Sequence, residues 1–184
     1  MLNRFKISVI FAALFVAGVF MGSIASGFLS AEKCYEMISP FAVQCKKQRA
    51  DVFISAFLYS VRPLIFMWIF GFTGISFYCC GTALLYRGSV LGLVAGGLIR
   101  IYGAANGCIL ILSGILPHNI IYIPLLIYAA SVIFIYSRNR KYINLKSFLF
   151  FACILIIGSL ITSLCDSVIT YDLLNRGIKS VTNG

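Results

Sequence analysis

Between Val52 and Cys165 the sequence contains neither aspartate nor glutamate. Proton-coupled transporters, aspartyl intramembrane proteases and carboxylate metal sites all depend on buried carboxylates. This stretch therefore lacks the side chains that those three classes of protein need. Asp166 and Asp172 lie at or beyond the end of the last apolar run, so neither supplies a carboxylate to the apolar part of the chain.

Charged residues of both signs are scarce throughout the chain. They make up 11% of the 184 residues, whereas 61% are hydrophobic, and the mean hydropathy is +1.00. Soluble domains carry about 25% charged residues, so the composition predicts an all-α polytopic membrane protein with a single domain in the lipid bilayer. The net charge of +10 does not indicate a nucleic-acid partner. The basic residues lie mainly at the ends of apolar runs, where membrane anchors belong.

Residues that hold metals or act as nucleophiles are also few. His118 is the only histidine, and the seven cysteines are scattered, whereas a zinc site needs three or four protein ligands. Ser113 is near His118 in sequence, but no acid lies nearby to orient the imidazole. We therefore predict no metal, no cofactor, no catalytic residue and no enzymatic activity. Cys34 and Cys45 share a polar loop and form a candidate disulfide, provided that the loop faces an oxidising compartment.

About five apolar runs are long enough to form transmembrane helices, which need about 20 residues each. They span residues 7–29, 63–86, 88–116, 119–137 and 147–168. The polar segment 30–60 is predicted to be an extracytoplasmic loop that ends in an amphipathic surface helix. Five crossings place the two termini on opposite sides of the cell membrane. Lysine and arginine divide equally between the two sides, so the positive-inside rule does not decide the orientation.

The run 88–116 carries Arg100 near its middle, followed by Gly103, Asn106 and Gly107. Two interpretations fit: one long crossing that is interrupted near 100–107, or two half-helices in a re-entrant hairpin. The fold class therefore includes one broken or re-entrant segment near 88–124. A charge within a span indicates a functional site by default. We predict that Arg100 either reaches the outer headgroups or pairs with Asp166.

The segment around the histidine predicts a junction between two helices. Pro117 disfavours helical geometry at Leu116, Asn119 is a suitable helix cap, and Pro124 removes a backbone hydrogen bond one turn later. His118 is therefore predicted to be a polar residue at an interface or within a kink, and the four residues Pro117, His118, Asn119 and Pro124 to form a broken helix entry.

Two stripes of small residues recur with a spacing of four, which places each stripe on one helix face. They are Gly18, Gly22 and Ser26 in the first run, and Gly88, Gly92 and Gly96 in the third. Such stripes allow membrane helices to approach closely. Two interpretations remain: the stripes pack within one chain, or they bind another protein.

The segments "FMWIFGFTGISFYCCGTALLYRGSVLGLVAGGLI" and "ILSGILPHNIIYIPLLIYAASVIFIYS" resemble the stage II sporulation protein M family. That family has a WIFG-like span, a helix with small residues four apart, and an LPH-type motif before a proline-containing span. The opening "LFVAGVFMGSI" is similar to the family's first span. Many relatives have glycine and an acidic residue where this chain has Asn119 and Tyr122.

The resemblance implies a bacterial multi-pass cell-membrane protein with five spans, with its N-terminus in the cytoplasm and its C-terminus outside the cell membrane. It also implies a non-enzymatic scaffold that recruits stage II sporulation proteins P and D, which degrade peptidoglycan during engulfment of the forespore. Whether the chain forms a homo-oligomer stays open. The alternative function is a small transporter or permease subunit with a polar site at its broken helices, as transporters have near the bilayer midplane.

Overall fold

The computed structural model describes residues 4–30, 32–34, 36, 49–71, 73–138 and 145–165. These residues form helices and no strand, which confirms the predicted all-α class. The helices are α1 (Arg4–Phe28), α2 (Arg49–Phe70), α3 (Ser76–Leu110), a π-helical turn (Ile111–Ile115), α4 (Leu116–Arg138) and α5 (Leu145–Cys165).

Three helical stretches in this part of the chain are long and apolar enough to cross a bilayer. They are Phe5–Phe28, Phe53–Phe70 and the 63-residue stretch Ser76–Arg138. The third stretch folds back on itself and so provides two crossings. Helix α5 adds a shorter apolar segment, Ala152–Leu164. The arrangement is that of a helical membrane protein.

The chain reverses direction at Gly103, inside the residues assigned to α3. Gly103 has φ 80° and ψ 168°, a backbone conformation that is essentially restricted to glycine. Because of the reversal, a β-carbon on Gly107 would lie 2.6 Å from the Cα of Ile99. Residues 76–102 and 104–138 therefore form two arms of an antiparallel helical hairpin, packed together through Leu98 and Leu110.

This reversal corrects the prediction for residues 88–116. The predicted interruption is present, but the segment is neither one crossing nor a re-entrant hairpin within the membrane. It is the end of one long helix, a turn at Gly103 and the beginning of the next. Sequence periodicity does not reveal the reversal because the residues on both sides of it are apolar.

The predicted span 63–86 is also wrong, because a turn at 71–75 divides it. The backbone N–H of Gly71 donates to the carbonyl of Trp68, and the Thr73 hydroxyl donates to the carbonyl of Phe70 at 2.6 Å. Helix α2 begins at Arg49 and continues through Pro63. Residues 52–60 therefore belong to a candidate spanning helix, and they form neither a separate surface helix nor part of the loop predicted for 30–60.

The junction predicted at Pro117 is a local widening of a continuous helix. The π-helical turn Ile111–Ile115 leads directly into α4, and the Leu116 N–H bonds to the carbonyl of Ile111. Proline in an α-helix would clash with the carbonyl four residues earlier, and the wider turn contains that residue, Ser113. Pro124 also lies inside α4, which neither begins nor ends there.

Helix α1 packs most extensively against the first arm of the hairpin, residues 76–102. The two run parallel, since Gly18 lies against Leu85 while Gly22 lies against Ser89. A buried core then joins α1 and the hairpin to α2 and α5; its fully buried members include Phe11, Met67, Leu84, Tyr122 and Leu126. The turn at 71–75 lies at the end of the bundle where α1 begins, and Gly103 lies where α1 ends.

Candidate functional site

The two small-residue stripes meet each other at the interface between α1 and residues 76–102. A β-carbon on Gly22 would collide with the backbone of Ser89, and one on Gly92 would collide with the backbone of Val19 and Ser23. The backbones of the two helices are therefore in direct contact. Dispersion contacts between the helices replace the contacts that each would otherwise make with lipid.

The remaining members of the stripes extend this close approach. Gly88 lies against the backbone of Phe15, and Gly96 lies against the Ser26 side chain. The Ser26 hydroxyl donates to the carbonyl of Ser23 at 2.6 Å, so it has an internal partner. The structure thus places all six predicted packing residues in one intramolecular interface.

Arg100 binds the C-terminal end of α1. Its Nη1 donates to the carbonyl oxygens of Ser26, Gly27 and Leu29 at 3.0, 2.8 and 2.6 Å. The last carbonyls of a helix have no partner within the helix and carry partial negative charge, so a guanidinium stabilises them. Arg100 lies next to the reversal at Gly103, at the end of its helix. The sequence interpretation placed Arg100 in mid-span and left two alternatives, a side chain that reaches the outer headgroups or a pair with Asp166, and Asp166 lies outside the described residues.

Arg87 is the arginine that lies deep in the bundle. Arg87 is 9% exposed. Its guanidinium carbon lies 3.9 Å from the ring centroid of Tyr59 and 4.9 Å from that of Tyr122. A cation over an aromatic face in a desolvated site gains about 2 kcal/mol. Among the described residues, these two rings contact its guanidinium, and no hydrogen-bond acceptor binds its N–H groups.

Tyr122 organises the surroundings of Arg87. Its hydroxyl donates to the carbonyl of Ser60 on α2 at 2.9 Å, and the ring of His118 stacks on it with a centroid distance of 5.1 Å. His118 is buried and contacts an aromatic ring, an environment that suits a structural role. Asn119 donates its side-chain amide to the carbonyl of Ile115 at 2.7 Å, so it supports the π-helical turn and does not cap a helix start.

A second arginine, Arg62, lies on the outward face of α2 and is exposed. It follows Tyr59 by three residues, so the two share one face of the helix. The cluster of Arg87, Tyr59, Tyr122 and Arg62 is the candidate functional site. Sequence reasoning missed it because Arg87 follows an apolar run that was taken to end there. The glycines at 71 and 74 were the available signal for the true turn.

The candidate disulfide is not formed at Cys34. Cys34 is a free, buried thiol, and its Sγ lies 3.9 Å from the carbonyl oxygen of Ser26. The backbone N–H of Cys34 donates to the carbonyl of Ser30 at 3.0 Å, and the contact of its thiol with Ser26 places Cys34 beside the C-terminal end of α1. Cys45 lies outside the described residues.

The polar side chains of the described residues are spread along the helices. Ser8 and Ser131 share a hydrogen bond of 3.0 Å between α1 and α4, and Ser137 donates to the carbonyl of Thr73 at 3.0 Å. No three histidine, cysteine or acidic side chains in this part of the chain lie close enough together to hold a metal ion. These hydrogen bonds connect helices to one another and hold the architecture of the bundle.

Residues 8–171 match the family model described as stage II sporulation protein M. The chain belongs to this family. The match includes α1 from residue 8, all the later helices, the reversal at Gly103 and the arginine cluster. No curated protein and no solved structure matches the chain. Membership makes this a membrane protein of a sporulation family.

The position of the reversal at Gly103 bears on the transporter alternative for the interruption near residues 100–107. Transporters place interrupted helices near the bilayer midplane, where the freed backbone groups bind substrate. Here the interruption lies at the end of two long helices, beside the C-terminus of α1.

Proposed function

We propose that this protein is a non-enzymatic membrane scaffold that holds peptidoglycan-degrading proteins at the cell membrane during sporulation. The family match over residues 8–171 carries the proposal. The partners are stage II sporulation proteins P and D, which supply the hydrolytic chemistry. The described helices support it, because their polar groups mostly stabilise the bundle and their outward faces are largely apolar.

The proposal is tested by purifying the tagged full-length chain from sporulating cells. We expect proteins P and D to co-purify with it, and we expect the complex, but not the chain alone, to release fragments from purified peptidoglycan. His118→Ala should leave that release at the wild-type rate, because His118 is buried and its ring stacks on Tyr122 within the bundle. Recovery of the chain without either partner would refute the scaffold.

A matched variant separates a lost partner from a lost fold. Gly27→Ala adds a methyl group where no other atom lies within 4 Å, so it should behave as the wild type in both assays. If His118→Ala is as abundant as Gly27→Ala but its complex releases nothing, the protein takes part in the chemistry and the proposal fails.

The proposed orientation places the N-terminus in the cytoplasm and the C-terminus outside. The structure reduces the test to one site at each end of the bundle, Gly74 in the turn at 71–75 and Ala104 beside the reversal, both of which are exposed. In a cysteine-free chain, we expect an impermeant thiol reagent to label Ala104→Cys in intact cells and Gly74→Cys only after lysis. The reverse pattern would invert the topology.

A further inference from the structure

Two arginines lie at membrane depth on the α2 side of the bundle. Arg87 is eleven residues from Ser76 and fifteen from residue 102, which is about 16 Å or more from either end of its helix at about 1.5 Å per residue. Arg62 is eight residues from Phe70, or about 12 Å by the same rise. Charges at such depth are rare and mark sites that pair with another group.

Neither arginine has an acidic partner within the membrane-spanning part of this chain. No aspartate or glutamate occurs between residues 52 and 165, and none precedes Glu32. Arg87 presents a planar guanidinium with five N–H donors, and the described residues offer it two ring faces and no acceptor. Two aromatic rings therefore lie against the guanidinium, while its N–H groups have no hydrogen-bond acceptor among the described residues.

One of the two rings that contact Arg87 belongs to an outward-facing surface. Tyr59, which covers Arg87, is itself 48% exposed, and Arg62 lies on the same side of α2. Large exposed apolar side chains continue this surface along the helix, with the spacing of a stripe that accepts another helix. They are Ile54, Leu58, Ile65 and Ile69. We refer to these residues with Tyr59 and Arg62 as the α2 outer face.

The geometry points to the α2 outer face as a docking surface for a transmembrane helix of another protein that carries an aspartate or glutamate at membrane depth. The apolar stripe packs against that helix, and its carboxylate binds Arg62 and the edge of Arg87. A carboxylate accepts two parallel hydrogen bonds from a guanidinium, and in a site without water this pairing is strong and selective. The inference rests on the proposed scaffold function, because it names the chemistry of the partner.

Charge favours a foreign transmembrane helix with a carboxylate over the other groups that could contact the α2 outer face. A second copy of this chain brings further arginines and no carboxylate at this depth. Lipid headgroups lie outside the hydrocarbon core, which is about 30 Å thick, whereas Arg87 lies near the middle of its helix. A carboxylate on a foreign transmembrane helix meets both requirements, apolar contact and negative charge at the right depth.

The test uses a photo-crosslinking amino acid at Leu58 in the full-length chain, expressed in sporulating cells. A matched probe at Phe20, which is exposed on α1, serves as the control surface. We expect the Leu58 probe to yield a crosslinked peptide from another protein whose apolar, membrane-spanning segment contains an aspartate or glutamate. We expect the Phe20 probe not to capture that peptide.

Arginine variants in the Leu58-probe chain then test the role of charge. Arg62→Met and Arg87→Met should each reduce the crosslink at least fivefold, whereas Arg62→Lys, which keeps the charge, should reduce it less than twofold. The purified Arg87→Met chain should unfold near the wild-type temperature, because the loss of the contacts with the Tyr59 and Tyr122 rings is offset by the removal of a buried charge that has no carboxylate partner in the isolated protein. Arg62 is exposed, so Arg62→Met keeps the test valid even if Arg87→Met does not fold.

Several results would overturn the inference. They are a crosslink to lipid alone, a crosslink to this same chain including its residues 166–184, a partner segment without a carboxylate, or a yield that both methionine variants leave unchanged. If proteins P and D co-purify with the wild type while any of these is found, the docking surface is wrong and the scaffold stands. If neither co-purifies, the scaffold fails, and the crosslinked peptide alone decides the docking surface.

Discussion

Gly92→Leu is expected to lower the amount of folded protein in the membrane several-fold. A β-carbon at residue 92 would collide with the backbone of Val19 and Ser23 on α1, and a backbone cannot rotate away as a flexible side chain does. The two helices must separate, which costs roughly 1–3 kcal/mol by analogy with overpacking a core. Since proteins are stable by only about 5–15 kcal/mol, this is a large share of the total.

The measurement is membrane abundance by quantitative immunoblotting, together with the unfolding temperature of the detergent-solubilised chain. Gly27→Leu is the matched control, because a side chain at residue 27 meets open space within 4 Å and leucine favours the helix more than glycine does. We expect the control to reach wild-type abundance. If Gly92→Leu accumulates normally but loses proteins P and D, the glycine stripe binds a partner protein. In that case the stripe does not stabilise the fold through its interface with α1.

The small-residue stripes show how far sequence reasoning reaches in a membrane helix. Gly18 and Gly22 in one run, and Gly88 and Gly92 in another, share a spacing that fixes which face of each helix approaches a neighbour. That information is local and periodic, so the sequence alone contains it. The sequence does not show which helix is the neighbour. The structure shows that α1 and residues 76–102 are neighbours, because their backbones approach closely.

Helix boundaries were predicted less well, for a physical reason. Hydropathy detects a membrane span because polar loops interrupt apolar runs, but the turn at 71–75 and the reversal at Gly103 are themselves largely apolar. Pro63 was taken as a helix start, which is its preferred place, whereas it lies inside α2. Each error moved a boundary by many residues and exchanged the positions inferred for Arg87 and Arg100.

The arginine cluster depends on contacts that no local pattern contains. Tyr59, Arg87 and Tyr122 come from three different helices and meet because of their register within the bundle. A one-turn slip of α2 would move Tyr59 by about 5.4 Å along the axis and uncover the guanidinium. The residue types were visible in the sequence, but their assembly into one site is a property of the tertiary structure.

Gly103→Ala is expected to lower the unfolding temperature of the solubilised chain by several degrees. Its φ of 80° and ψ of 168° lie in a region that residues with a β-carbon avoid, at a cost of about 1–3 kcal/mol. No atom lies within 4 Å of the β-carbon position, so the loss comes from backbone strain alone. Gly74→Ala is the matched control, because it also meets open space but has no positive φ, and we expect it to be neutral.

Gly103→Asn distinguishes this conformation from an ordinary helix cap. Asparagine tolerates the left-handed helical region, near φ 57° and ψ 47° on average, and often replaces glycine there. The ψ of 168° at Gly103 is far from that region, so asparagine should stabilise the reversal no better than alanine. An unfolding temperature for Gly103→Asn equal to that of the wild type would show that the chain turns through a left-handed residue. In that case Leu98 and Leu110 would meet at a different angle from the one that holds the hairpin arms together.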